Sequence, residues 1–117
     1  VPRNRPRARL PVLVQGGSLT PSGGTPYDSG PITVPDTVTA VTTDDLQVAV
    51  IWLVNLTDEP QAVTITDGLG RSYLDQYPLA PRAVESLAFG GIRLSGGVRW
   101  AASQAGAVRG HITGVRG

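Results

Sequence analysis

From Thr37 to the C-terminus, short apolar runs alternate with turn residues, and no window carries a helical period. The candidate strands are 37–43, 46–56, 60–66, 71–77, 82–89, 91–94, 98–103 and 107–115. Between them stand Asp44-Asp45, Asp58-Glu59-Pro60, Asp67-Gly68-Leu69-Gly70, the stretch from Pro78 to Pro81, Gly90-Gly91 and Ser95-Gly96-Gly97. These are residue types that turns require. So many short strands can bury their apolar faces only against one another. The expected fold is all-β: a small antiparallel β-sandwich, jelly-roll-like, over residues 37–117.

Residues 1–36 read differently. They are rich in Pro, Gly, Ser and Thr, and Tyr27 is their only aromatic residue. Such a composition buries too little to offset ordering entropy, so it is expected to form an extended arm held by a neighbouring subunit. Arg3, Arg5, Arg7 and Arg9 lie among Pro2, Pro6, Asn4 and Ala8. In an extended chain alternate residues share a face, which would line these guanidiniums along one edge. Leu10, Val12 and Val14 form a short apolar patch that could dock as an added strand on a neighbour's sheet. Residues 1–36 carry a net charge of +2 and residues 37–117 a net charge of −1. Attraction to a polyanion would therefore reside in the arm, and nucleic acid is not an expected partner of the body.

Two strands say more. The run from Val48 to Val54 is apolar on both faces. A strand in a two-layer sandwich has one wet face, so either the arm, another subunit or a long loop over Ala49, Ile51 and Leu53 should cover the second. Around Ser95-Gly96-Gly97, a three-residue hairpin loop would pair Leu94 with Val98, Arg93 with Arg99 and Ile92 with Trp100, keeping the faces consistent. It would also oppose two like charges, which an acidic neighbour on another chain could relieve. Arg93 and Arg99 therefore join the arm residues as expected partner contacts.

No catalytic set can be assembled. There is no Cys and no Lys, which excludes thiol, disulfide and lysine chemistry. His111 is the single histidine and alternates with Val108 and Ile112, so it should face solvent or an interface. Asp44-Asp45 and Asp58-Glu59 sit in turns, and the Gly pairs at 90–91 and 96–97 precede no helix that could cradle a phosphate. No metal, cofactor or catalytic residue is expected. Asn55-Leu56-Thr57 fits the glycosylation sequon. Trp52 and Trp100 both fall among apolar neighbours and read as core, whereas Tyr73 and Tyr77 alternate on one strand face and could form an exposed platform. The longest apolar run is too short to span a bilayer, and no membrane contact is expected. The basic start lacks an apolar signal core, and loss of an initiator Met before Val1 would account for a chain without Met. Cytoplasmic synthesis without secretion is the expectation.

The segments Val63-Thr64-Ile65-Thr66-Asp67-Gly68, Leu79-Ala80-Pro81, Phe89 through Ser103, Ala105-Gly106-Ala107-Val108 and Gly114 together resemble small all-β virion proteins of tailed bacteriophages. That group includes capsid decoration, head-fibre and tail accessory proteins. The resemblance covers about residues 46–115 and rests on glycine and small-residue spacing. It implies a non-enzymatic, self-associating structural module of the virion, and the first expectation is a protein that decorates or stabilises the capsid through its sandwich and extended arm, with the major capsid protein or another virion subunit as partner. A tail or fibre component, a carbohydrate-binding module with its loops or Tyr73 and Tyr77 as the platform, and a packaging protein with Arg3 to Arg9 on phosphates are the rival expectations.

Overall fold

The computed structural model describes residues 24–116, in which no helix forms. Nine strands follow in chain order: β1 Thr25–Asp28, β2 Ile32–Thr33, β3 Thr39–Thr42, β4 Leu46–Asn55, β5 Gln61–Asp67, β6 Ser72–Leu79, β7 Val84–Leu94, β8 Val98–Ala102 and β9 Val108–Arg116. They form two antiparallel sheets. Sheet I runs β1–β9–β4–β7, with β2 beside β1 on the same flank of β9. Sheet II runs β3–β8–β5–β6. This is the antiparallel sandwich that the strand-and-turn pattern predicts.

The core lies between the sheets. Sheet I supplies Leu46, Val48, Ile51, Leu53, Leu94, Val108 and Ile112, and sheet II supplies Val63, Ile65, Leu79, Val98, Trp100 and Ala102. β5 shows the underlying rule most plainly. Gln61, Val63, Ile65 and Asp67 point in and are buried, while Ala62, Thr64 and Thr66 are half-buried on the other face.

β4 resolves the problem of its two apolar faces by a change of phase. Val48 pairs with Ile92 and Val50 with Ala88, so Ala49 stands opposite the three residues Phe89, Gly90 and Gly91. Gly90 and Gly91 have φ of 66° and 89°, a conformation that side chains with a Cβ avoid. Because of this bulge Val48 and Ile51 both point inward, and Val50, Trp52 and Val54 point outward. Ile51 and Leu53 are therefore core residues, not residues beneath a loop. The expected break at Gly90-Gly91 is a bulge inside one strand, β7.

Ser95-Gly96-Gly97 is not a hairpin. β7 pairs with β4 in sheet I, whereas β8 pairs with β3 and β5 in sheet II. The turn carries the chain from one sheet to the other. Leu94 and Val98 both face the core, and that local pattern fits a crossing between layers as well as a hairpin within one. Non-local packing chooses the crossing: a Cβ on Gly68 would lie 2.1 Å from the Gly96 carbonyl oxygen, and one on Gly97 would lie 1.9 Å from that of Thr42. Three loops are thus packed backbone to backbone at this end.

The arm boundary at residue 36 cuts through the folded unit. β1 and β2 pair with β9, and Val34 is fully buried with its N–H on the Val108 carbonyl at 2.9 Å. Composition could not reveal these strands, because β9 holds them through backbone pairing rather than through many apolar side chains.

Candidate functional site

The outer face of sheet I carries the most unusual combination of side chains. In register across it stand Val50, Trp52 and Val54 of β4, Thr113, His111 and Arg109 of β9, and Ala88, Ser86 and Val84 of β7. Val84 is 68% exposed, and Val50, Trp52 and Val54 are half-buried. The Trp52 and His111 rings lie 5.1 Å apart at a tilt of 47°. His111 Nε2 meets Asp28 Oδ1 at 2.5 Å, and the Gly30 N–H donates to the same oxygen at 2.8 Å. The Gly30 N–H, and then His111, hold the Asp28 carboxyl below its ordinary value near 3.8.

Neighbouring contacts tie β1 to β9. The Ser29 hydroxyl accepts the Ile112 N–H at 2.8 Å, and the Ser29 N–H donates to the Ile112 carbonyl at 2.9 Å. The Arg116 guanidinium lies 5.0 Å from the centre of the Tyr27 ring and bonds Asp44 at 3.2 Å. Trp52, which the sequence places in the core, is on this face because the β4 bulge puts it out of phase with Val48. The Asp28–His111 couple has no local signal, since its members are 83 residues apart.

The expected contact residues divide. Arg3, Arg5, Arg7, Arg9, Leu10, Val12 and Val14 lie outside the described residues. Arg93 and Arg99 are in different sheets. Arg93 stands opposite Gln47 and bonds Asp45 of its own chain at 2.9 Å. Arg99 is exposed on sheet II between Ala40 and Thr66. Ile92, expected opposite Trp100, is 49% exposed in sheet I, while Trp100 is 2% exposed in sheet II. The tyrosine platform does not form either. Tyr73 and Tyr77 pack against the core, with their hydroxyls on Asp67 at 3.2 Å and Glu85 at 3.3 Å. Burial, then these carboxylates, raise both phenols.

The remaining buried polar groups hold loops. Asn55, 1% exposed, donates from Nδ2 to the carbonyls of Glu59, Ala80 and Leu79 at 2.7, 3.0 and 3.2 Å. The nitrogen of the sequon is thus occupied inside the fold. Asp67 has a fully buried side chain that accepts the N–H groups of Leu69 and Arg71, the Arg71 guanidinium and the Tyr73 hydroxyl. Burial alone would raise its carboxyl, but the donors, led by the Arg71 N–H, outweigh it and hold the group below 3.8. Gly96 and then Arg93 do the same for Asp45, and Arg82 for Asp58. A carboxyl depressed in the folded state adds stability above its unfolded pKa and loses it as pH falls through the folded one. The melting temperature is expected to be level above ~pH 5 and to fall below ~pH 4. Thermal melts across pH check this, and Asp67→Asn should flatten the acid limb.

Among the described residues no group of three or more His, Asp or Glu side chains could hold a metal ion, and no helix is long and apolar enough to cross a membrane. What the geometry defines is an immunoglobulin-like sandwich with one partly apolar outer face. A family model described as the D-apionate lactonase C-terminal immunoglobulin-like domain matches residues 35–95, more than half of the chain. The chain belongs to that family. No curated protein and no solved structure gives a significant match.

Proposed function

We propose that this domain is a non-catalytic docking module that holds a partner protein against the outer face of sheet I. The observation that carries this reading is the cluster of Val50, Trp52, Val54 and Val84 on that face, flanked by His111 and Arg109. An apolar patch rimmed by polar side chains is the usual form of a protein contact surface. Trp52 is the expected anchor, since buried indoles dominate interface energies. His111 is engaged by Asp28 and Trp52, which favours a structural role over proton transfer.

The family's description sets an immunoglobulin-like domain at the C-terminal end of a lactonase. The first partner is accordingly the catalytic unit of a D-apionate lactonase. The glycines that carry the bacteriophage resemblance have another explanation in this fold. Gly68, Gly96 and Gly97 are required by close backbone approach, and Gly90 and Gly91 by a bulge. They follow from the sandwich and do not select a virion partner.

Binding calorimetry against an isolated lactonase catalytic unit tests the reading. Trp52→Ser combined with Val54→Glu should weaken binding by at least ~100-fold, the size of a hot-spot loss, while circular dichroism stays β-type. Binding that the double variant leaves unchanged removes the face from the interaction. Absence of binding to the lactonase unit, with face-dependent binding to a bacteriophage shell subunit, would transfer the docking role to a virion partner.

A further inference from the structure

We propose that β7 is a self-association edge, through which two copies of this chain join antiparallel, β7 to β7, about a two-fold axis at Ser86. β7 ends sheet I, and β4 is its only partner among the described strands. The Asn55 N–H donates to the Ala83 carbonyl at 2.9 Å, which fixes the phase of the β4–β7 ladder. In an antiparallel ladder bonded pairs alternate, so Leu53–Glu85 and Ile51–Leu87 exchange bonds. The N–H and C=O groups of Val84, Ser86 and Ala88 then point away from β4, toward whatever lies beyond the edge.

The other edges carry protection that this one lacks. β6 contains Pro78 and a bulge at Gln76, whose φ is 54°. β1 is four residues long and contains Pro26, and β3 is four residues long with a register shift. From Val84 to Phe89, β7 has no proline, no lysine and no bulge. Open edges of this kind pair with another strand. Glu85 is the only charge in the segment, and the Tyr77 hydroxyl donates to it on the inner side.

The edge is complementary to itself in one register. With Ser86 opposite Ser86 of the second copy, Val84 faces Ala88 and Ala88 faces Val84. All of the outward backbone groups of the segment find partners. Outer side chains meet outer side chains, as the two-residue period demands. Glu85 falls opposite Leu87, so no like charges oppose each other. Moving the centre to Leu87 would set Val84 against the Gly90 bulge and lose a bonded pair. The second copy is therefore the occupant that fits. The contact lies at the edge of sheet I and would extend its outer face across two copies, independently of what docks on that face.

Sedimentation of the full chain across concentration gives the first test, with a species of twice the 12.2 kDa chain mass expected. Ser86→Pro removes the central outward N–H but no β4 bond, a placement that edge strands tolerate. It should raise the dimer dissociation constant at least ~10-fold, the equivalent of one or two lost hydrogen bonds. The chain has no Cys, so Ser86→Cys introduces a single thiol. A bonded antiparallel pair sets its Cα atoms ~5.5 Å apart, inside the disulfide range. Ser86→Cys should cross-link into dimers under mild oxidation far faster than Thr43→Cys on an exposed loop. A wild-type monomer at high concentration overturns the proposal. So does a dimer that ignores Ser86→Pro, or equal cross-linking at positions 86 and 43. Loss of dimer only on deleting residues 10–14 would assign the contact to that segment and overturn the β7 pairing.

Discussion

Trp100→Ala is expected to lower the stability of this domain by ~3–5 kcal/mol, the cost of truncating a large aromatic in a close-packed core. A domain of this size has only ~5–15 kcal/mol in total. Trp100 is 2% exposed and projects from sheet II across the core to sheet I. Its ring lies over Gly110 of β9, where a built Cβ would be 2.5 Å from the indole. That contact gives the prediction a second arm. Gly110→Ala alone should destabilise by ~1–3 kcal/mol through overpacking, yet cost little in the Trp100→Ala background, where the ring is gone. Chemical denaturation of the single and double variants measures the coupling. Additive effects would mean that the ring does not rest on Gly110.

Asn55→Asp is expected to cost ~3–5 kcal/mol at neutral pH, as an uncompensated buried charge does. The exchange keeps size and shape and removes both N–H donors of the amide. Nδ2 is aimed at the carbonyls of Glu59, Leu79 and Ala80, and Oδ1 accepts the N–H and hydroxyl of Thr57. A carboxylate would turn an oxygen toward three other oxygens. Burial and these carbonyls would raise the pKa of the new carboxyl in the folded state. The penalty is therefore full above that value and shrinks as acid restores an O–H donor. The gap between the melting curves of Asn55→Asp and wild type should narrow as the pH is lowered toward ~5, above the range where the native carboxylates begin to protonate. A pH-independent difference would mean that the amide donors are not what holds the 56–60 and 80–83 loops.

Much of the fold is legible in the residues alone. Apart from the break expected at Gly90-Gly91, the strands from Thr39 to Arg116 coincide closely with runs bounded by Asp, Gly and Pro, because turn chemistry and the two-residue period are local properties. His111 is outward and Val108 and Ile112 inward, as alternation along one strand requires. Trp100 is in the core for the same reason.

What was not legible is non-local. Arg93 and Arg99 flank a turn that satisfies hairpin register as well as it satisfies a crossing between layers, and only the packing of Gly68, Gly96 and Gly97 against neighbouring backbone separates the two. Trp52 faces outward because the bulge opposite Ala49 shifts the phase of β4, and a phase shift leaves no mark in a run that is apolar at every position. Asp28 meets His111 because β1 adds to the flank of β9 through backbone bonds, which any sequence compatible with an extended chain can make. Most strands, their turns and the inward face of most of them can be read from the residues, since each depends on neighbours in the chain. Sheet membership, the outer face of sheet I and the place of β7 at its edge among the described strands follow from long-range packing, since they depend on which backbones meet.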